Sequence, residues 1–350
     1  VDTITQALIG AAAGQAVQGH RIGRRAAAVG ALAGLLPDAD VFIRSATDPL
    51  VGIEYHRHFT HALAFVPVGA AVAAAPFLLA PGLRARWKAV YVAALAGWAT
   101  HAPLDSLTSY GTQLLWPFSS ARVALPAVSI VDPIFTLALA IGLGVALWRA
   151  SRTPAMLALS FCLAWLGLGL AQNGRATAIQ YALAAARGHE VVRGRVDPTL
   201  GNQLLWRSVY EDGRGVLHAD AIRVPLLGAA TVRSGASADA VTEQELTALA
   251  PDDPRIARAA RIWAWFSDGF MTAGPEPGSV ADARYASDPA GFAPLWSLAL
   301  RPDHPDLPVE MVRGLRRDLP FSALLAEIAG RDPRHAPIGA AMAAARASRG

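Results

Sequence analysis

At 350 residues the chain has room for two domains or one large one. It is 53% hydrophobic with a formal net charge of +4, and its single cysteine, Cys162, excludes a disulfide framework and leaves the redox compartment unread. Residues 1–172 carry 10 Arg and one Lys against seven acids, whereas 173–350 carry 20 Arg and no Lys against 20 Asp/Glu. The basic excess therefore belongs to the apolar half and reads as a membrane-topology signal rather than a nucleic-acid footprint.

The pattern predicts an α-helical polytopic membrane domain of about six spans, the first one short, over 1–172, followed by an α+β extracytoplasmic domain over 173–350. Ile4 to Val17 is the short first span, with Gln6 and Gln15 inside it; the chain opens with Asp2 and no basic region, so a cleavable signal peptide is not expected. Ala26 to Ile43 is the second span, interrupted by Pro37-Asp38-Ala-Asp40, and Arg44 to Phe59 is a polar loop. Thr60 to Pro81, Ala89 to about Leu107, Val128 to Trp148 and Pro154 to Leu170 complete the set, each roughly the length that a ~30 Å hydrocarbon core requires. The loop from Ser109 to Pro126 carries Trp116 and Phe118, residue types favoured at the membrane interface.

Three basic turns (Arg21/Arg24/Arg25, Arg84/Arg86/Lys88, Arg149/Arg152) alternate with acidic or neutral ones. With the basic turns cytoplasmic, both termini, every acid of this half and His56, His58, His61 and His101 fall on the periplasmic side of a bacterial inner membrane. Beyond it, Arg175 to Arg187 reads as a helix leaving the membrane. His189 to Val196, Gln203 to Tyr210 and Val216 to Val224 alternate like strands. Thr242 to Ala250 and Pro254 to Phe266 read as helices, Ser279 to Tyr285 and Leu295 to Leu300 as strands, Val309 to Ala329 as a helix, and the tail after Arg331 as loosely ordered. No internal repeat, P-loop, GxSxG or CxxC is present.

Acids and histidines gather between Leu36 and His61 and at His101 to Asp105. A carboxylate or imidazole near a bilayer is costly without a partner, and a divalent metal is the partner both share. His101 and Asp105 are four apart, one helical turn on one face, although Pro103 loosens that turn; the alternative is a hydrogen-bonded polar pair. Asp38 and Asp40 suit a metal or simply the end of a helix. His56, Arg57, His58 and His61 crowd into six residues, with Thr60 placed as an N-cap and His58 the most expendable. Asp132 is a further ligand, a support for one, or a helix cap. His20 lies on the basic face, and His189, His218, His304 and His335 are scattered with nothing in the sequence linking them.

These residues resemble the YdjM-like family of bacterial inner-membrane metal-dependent hydrolases. The likeness lies in Asp2-Thr-Ile-Thr5, Leu-Pro37-Asp38-x-Asp40, His56-Arg57-x-x-Thr60-His61, His101-x-x-x-Asp105-Ser-x-Thr108-x-Tyr110-Gly111, Trp116-Pro117-Phe118-Ser119 and Val131-Asp132-Pro133, with Asn202-Gln-Leu-Leu-Trp206-Arg207 beyond. It implies kinship with zinc-dependent phospholipases C and single-strand nucleases, hence phosphoester hydrolysis. The resemblance implies an opening Asp-x-x-Thr-His, and here Gln6 stands at the histidine position, so that a metal position is expected to be lost, weakened or filled by an amide oxygen suited to a harder ion.

The expected function is a membrane-bound metal-dependent hydrolase acting on a phosphoester in a lipid or lipid-linked substrate at the outer leaflet. The metal is one or two Zn2+, with Mn2+ or Mg2+ as alternatives. Asp38, His61, His101 and Asp105 are the expected ligands, helped by Asp40 and His56; Asp40 is also the expected general base, and Arg57 the group neutralising phosphate oxygens. Gln6, Thr60, Thr108, Tyr110 and Asp132 are expected to support the ligands or meet the substrate. The expected partners are membrane lipid and a small-molecule or lipid-linked substrate, not nucleic acid. The rival readings are a metal- or proton-linked transporter, a scaffold with a structural metal, and a protease or amidase using the same chemistry.

Overall fold

The computed structural model describes residues 1–304, 306–314 and 321–348, in two compact units. Val1–Ile43, Tyr55–Ala171 and Leu200–Asn202 form the first, and Arg44–Glu54, Gln172–Thr199 and Gln203–Gly350 form the second.

 The segment Arg44–Glu54 thus belongs with the second unit although it lies between two stretches of the first.

The helices of the first unit are α1 (Thr3–Ile22), α2 (Arg25–Leu35), α4 (Val66–Ala74), α5 (Pro81–Arg84), α6 (Trp87–Ser106), α7 (Pro133–Trp148) and the start of α8 (Thr153–Arg187), while α3 (Leu50–Tyr55) lies, but for Tyr55, in the segment grouped with the second. Short 3-10 turns lie at Leu36–Phe42, Phe59–His61, Leu63–Phe65 and Ala75–Leu79. Asp2 caps α1, its carboxylate accepting from the backbone N–H groups of Ile4 and Thr5 at 3.1 and 3.0 Å. α1, α2 and α6 pack backbone against backbone. A Cβ on Gly30 would stand 2.2 Å from the Gly10 carbonyl oxygen, and one on Gly97 2.4 Å from that of Gly30, so only glycine permits this approach. Around this contact Val29, Ala33, Ala70, Val90, Ala93 and Trp98 form a core of mostly small side chains.

The six expected spans do not form. Among the described residues only α8, at 35 residues, is long and apolar enough to cross a membrane; a second crossing arises only if Leu50–His61 and Leu63–Leu79, bent by 57°, count as one broken span. Helical length is the physical reason. At about 1.5 Å per residue, the 11 residues of α2, nine of α4 and 16 of α7 fall short of a ~30 Å core. Pro67 and Pro76 divide the third apolar run, and α1 and α6, though 20 residues each, bury Gln6, Gln15, Gln18, His101 and Asp105. The expected boundary after residue 172 falls inside α8, which continues unbroken to Arg187, and the two units part in the chain between Ala171 and Gln172.

The second unit is α+β. β1 (Val191–Pro198), β2 (Leu205–Asp212), β3 (Val216–Arg223) and β4 (Thr231–Asp239) form an antiparallel meander, joined at its edge by β9 (Ala336–Pro337). β5 (Met271–Ala273), β6 (Ser279–Asp282), β7 (Trp296–Ala299) and β8 (Glu310–Arg313) form a second antiparallel sheet. α9 (Glu243–Ala248), α10 (Pro254–Phe266), α11 (Phe321–Ile328) and α12 (Ile338–Ala347) complete the unit. Ala176 and Leu183 of α8 pack on Trp206, Ile222 and Val232 of the larger sheet. Buried Arg207 donates to the carbonyl oxygens of Ala283, Arg284, Asp288, Pro289 and Gly291, tying β2 to the loop after β6.

β4 was not expected, because Arg233 points to a buried position where an apolar residue would mark the alternation; it is compensated there by Asp288 and Glu327. The helix expected over Val309 to Ala329 is instead β8 and α11, with 315–320 outside the described residues, and the tail expected to be loose forms β9 and α12.

Candidate metal centre

Three segments of the first unit meet at one end of its helices. Asp38 and Asp40 lie on the turn that continues α2, stopped from being regular α-helix at Pro37. His61 ends the turn Phe59–His61, and His101 and Asp105 stand one turn apart in the last two turns of α6. Pro103 is accommodated inside that helix. Trp98 Nε1 donates to the Thr60 carbonyl at 3.2 Å and joins the His61 turn to α6.

One ligand atom each from Asp38, His61, His101 and Asp105 falls within a group no wider than 4.8 Å. The two Nε2 atoms of His61 and His101 are 2.9 Å apart. Asp38 Oδ1 lies 3.5 and 3.4 Å from them, and Asp105 Oδ2 3.4 and 3.7 Å. Around zinc, with bonds of about 2.0–2.1 Å, neighbouring tetrahedral ligand atoms stand about 3.3 Å apart, so the quartet fits such an ion. Both imidazoles are turned for it. His101 Nδ1 lies 2.6 Å from the Gly34 carbonyl oxygen, and His61 Nδ1 lies 3.0 Å from Thr60 Oγ1 and 3.2 Å from Asp40 Oδ2. Oxygen acceptors on Nδ1 leave Nε2 with its lone pair toward the centre. Asp105 Oδ2 is buried without a hydrogen-bond donor of ordinary geometry, which marks a position suited to a cation.

Asp40 and His56 stand behind this quartet rather than in it. The Asp40 carboxylate accepts from the backbone N–H of Arg57 at 2.8 Å and from Thr60 Oγ1 at 3.0 Å, and pairs with His56 Nδ1 at 2.9 Å. Burial pushes the carboxyl groups of Asp38 and Asp40 up, but their histidine partners outweigh it and hold both below the usual carboxylate range: His101 and His61 for Asp38, His56 and His61 for Asp40. With its oxygens so engaged, Asp40 orients His61 and does not face the centre as a free base.

Arg57 is buried and adopts a positive φ of 62°, a strained conformation for a residue with a side chain. Its Nε is 3.1 Å from Asp105 Oδ2, its Nη1 donates to Thr108 Oγ1 at 3.2 Å, and its guanidinium covers the Tyr110 ring at 4.7 Å. Thr108 in turn donates to the Asp105 carbonyl at 2.7 Å. Gln6 donates through Nε2 to Asp105 Oδ1 at 2.9 Å, while its buried Oε1 lacks a donor. Asp132 is a helix cap: Oδ1 accepts from the N–H groups of Ile134 and Phe135, both at 3.0 Å, and Oδ2 from Trp165 Nε1 at 3.0 Å.

A further group escaped the sequence reading. His189, Asp212 and His218 of the second unit bring ligand atoms within 4.8 Å of one another, so these two histidines are linked after all. The register of the β2–β3 hairpin, with Tyr210 opposite His218 and Asp212 opening the Gly-containing turn, is the local signal that points to Asp212 and His218; His189 joins them through tertiary packing.

A family model described as YdjM inner membrane protein matches residues 1–176, half of the chain. No curated protein and no solved structure matches the chain.

Proposed function

Because the chain belongs to the YdjM inner membrane protein family, we propose that it acts at that membrane as a divalent-metal-dependent hydrolase of a phosphoester in a lipid or lipid-linked substrate. The observation that carries this reading is the convergence of Asp38, His61, His101 and Asp105, two imidazoles and two carboxylates whose charge balances a dication. Imidazole ligation favours zinc over manganese or magnesium. A divalent cation held there supplies Lewis acidity and lowers the pKa of bound water.

The protein's own groups have distinct tasks in this proposal. Asp38 is the partly exposed member of the quartet, with 22% of its side chain accessible against 0–1% for the others, so substrate approaches on its side. Arg57 holds Asp105 charged and in place; its burial assigns it to positioning rather than to reaching a phosphate. Asp40 and Gly34 orient the two imidazoles.

The first unit also supports an orientation. The basic end of α1, the start of α2 and the end of α7 lie together, with Arg24 Nε donating to the Leu147 carbonyl at 2.8 Å, while the turn after α2, the turn ending at His61 and the end of α6 carry the quartet, with Gln6 at the start of α1 donating to Asp105. With the basic end cytoplasmic, the centre faces the periplasm.

The test is to purify the chain in detergent, measure bound metal, and assay turnover of lipid phosphoesters for the parent, Asp105→Ala and His61→Ala. Metal and turnover lost together support the proposal. Metal unchanged in both variants overturns the centre. Metal lost with the variants but no turnover by the parent on any lipid phosphoester overturns the hydrolase reading in favour of a structural metal.

A further inference from the structure

We propose that His189, Asp212 and His218 form a second site for a divalent transition metal, in the second unit, and that Arg214 occupies the cation position when the metal does not. The site stands independently of the centre described above.

Three observations support it. The first is orientation of the imidazoles. His189 Nδ1 is 2.9 Å from the Tyr210 hydroxyl and His218 Nδ1 is 2.9 Å from Ser237 Oγ. Each ring therefore has its Nδ1 engaged by a hydroxyl and turns its Nε2 toward the Asp212–Arg214 pair, an orientation in which a second partner on Nδ1 fixes a metal-binding histidine. His218 Nε2 already lies 3.1 Å from Asp212 Oδ2, close to the ~3.3 Å edge of a tetrahedral zinc site. The two rings stack at 4.3 Å between centroids.

The second observation is that a cation is already there. Arg214 Nη2 sits 2.8 Å from Asp212 Oδ2 and 3.4 Å from His189 Nε2, touching two of the three proposed ligands. Asp212 is buried, but the Arg214 side chain is 70% exposed, so it can leave without disturbing packing. Its Nε also contacts Asp212 Oδ2, at 3.1 Å, and Asp212 Oδ1 accepts from the N–H groups of Arg214 and Val216. Oδ1 is thus fixed by the backbone of the turn, and Oδ2 remains the exchangeable oxygen.

The third is access. The site opens on a cavity of about 980 Å³ that Arg187 and Arg334 also line, leaving room for solvent or an anionic ligand to complete the coordination. Imidazole with one carboxylate suits zinc, cobalt or nickel better than calcium or magnesium.

The test titrates cobalt(II), then zinc(II), into the full chain in detergent, in a background carrying His61→Ala and Asp105→Ala so that only the second site can respond. The expected result is one cobalt with a ligand-field spectrum in which zinc displaces it, lost in His189→Ala and in His218→Ala. Arg214→Ala, which removes only an exposed side chain, is expected to tighten binding at least about tenfold by removing a competing charge. The same titration of the chain with the first centre intact guards against a background that fails to fold, and is expected to show a component lost only in the His189 and His218 variants. Absence of that component in both titrations, its survival in the histidine variants, or unchanged affinity in Arg214→Ala overturns the proposal.

Discussion

His101 Nδ1 lies 2.6 Å from the carbonyl oxygen of Gly34, the last residue but one of α2. One bond thereby sets the tautomer of an expected ligand and joins α6 to the helix that leads into Asp38. Ligand geometry and helix packing in the first unit are one construction, and variants at the two levels have separable effects.

Removal of a quartet member differs from removal of its support. Asp105→Ala and His61→Ala are expected to purify without metal. Asp40→Asn keeps the quartet but weakens the acceptor that holds His61 Nδ1, so metal affinity falls by about 10–100-fold. Competition against a chelating dye measures both.

Gly30→Ala tests the backbone packing. Its Cβ has the Gly10 carbonyl oxygen 2.2 Å away and the Gly14 Cα 3.0 Å away, with no flexible side chain to yield. The helices must separate, at a cost of about 1–3 kcal/mol or more. Thermal unfolding in detergent should show the loss, with reduced metal retention as α2 shifts.

Asp132→Ala is expected to leave metal content unchanged. The loss of a cap for α7 and of the Trp165 partner costs about 1–3 kcal/mol, read from the same melts. Metal lost in a folded Asp132→Ala protein would return Asp132 to the ligand set.

Acid sensitivity of the second unit is expected to involve Arg233. Burial raises the carboxyl groups of Asp288 and Glu327, but Arg233, with His335 on Glu327, outweighs it and holds both below their ordinary values of 3.8 and 4.5. Groups depressed in the folded state contribute stability above the unfolded pKa and lose it as pH falls through the folded one. Stability is therefore expected to decline below about pH 4.5, and Arg233→Met to be less stable at neutral pH with a shallower decline in that window. Chemical denaturation at several pH values checks the slope.

Much of the second unit was legible in the chain because its signals are local. The helix expected over Pro254 to Phe266 forms as α10 over those residues, started by Asp253 and Pro254, and β1, β2 and β3 form close to the expected segments between their turns, although β2 and β3 are buried along most of their length rather than alternating. Asp38, His61, His101 and Asp105 were likewise nominated by local crowding and helical spacing. Composition determined that the first 170 or so residues are apolar and helical, but not how many cross a membrane. Alanine and glycine raise hydropathy whether they face lipid or let backbones touch, and tertiary packing decided for the latter in α1, α2 and α6. Tertiary structure alone also decided which acids face the two Nε2 atoms: Asp40 meets His61 only at Nδ1 and Asp132 caps α7, while Asp38 and Asp105 each turn an oxygen to the centre, that of Asp105 beside Arg57. It brought His189 to Asp212 and His218 as well, because side chains far apart in sequence become neighbours only when strand register and packing make them so.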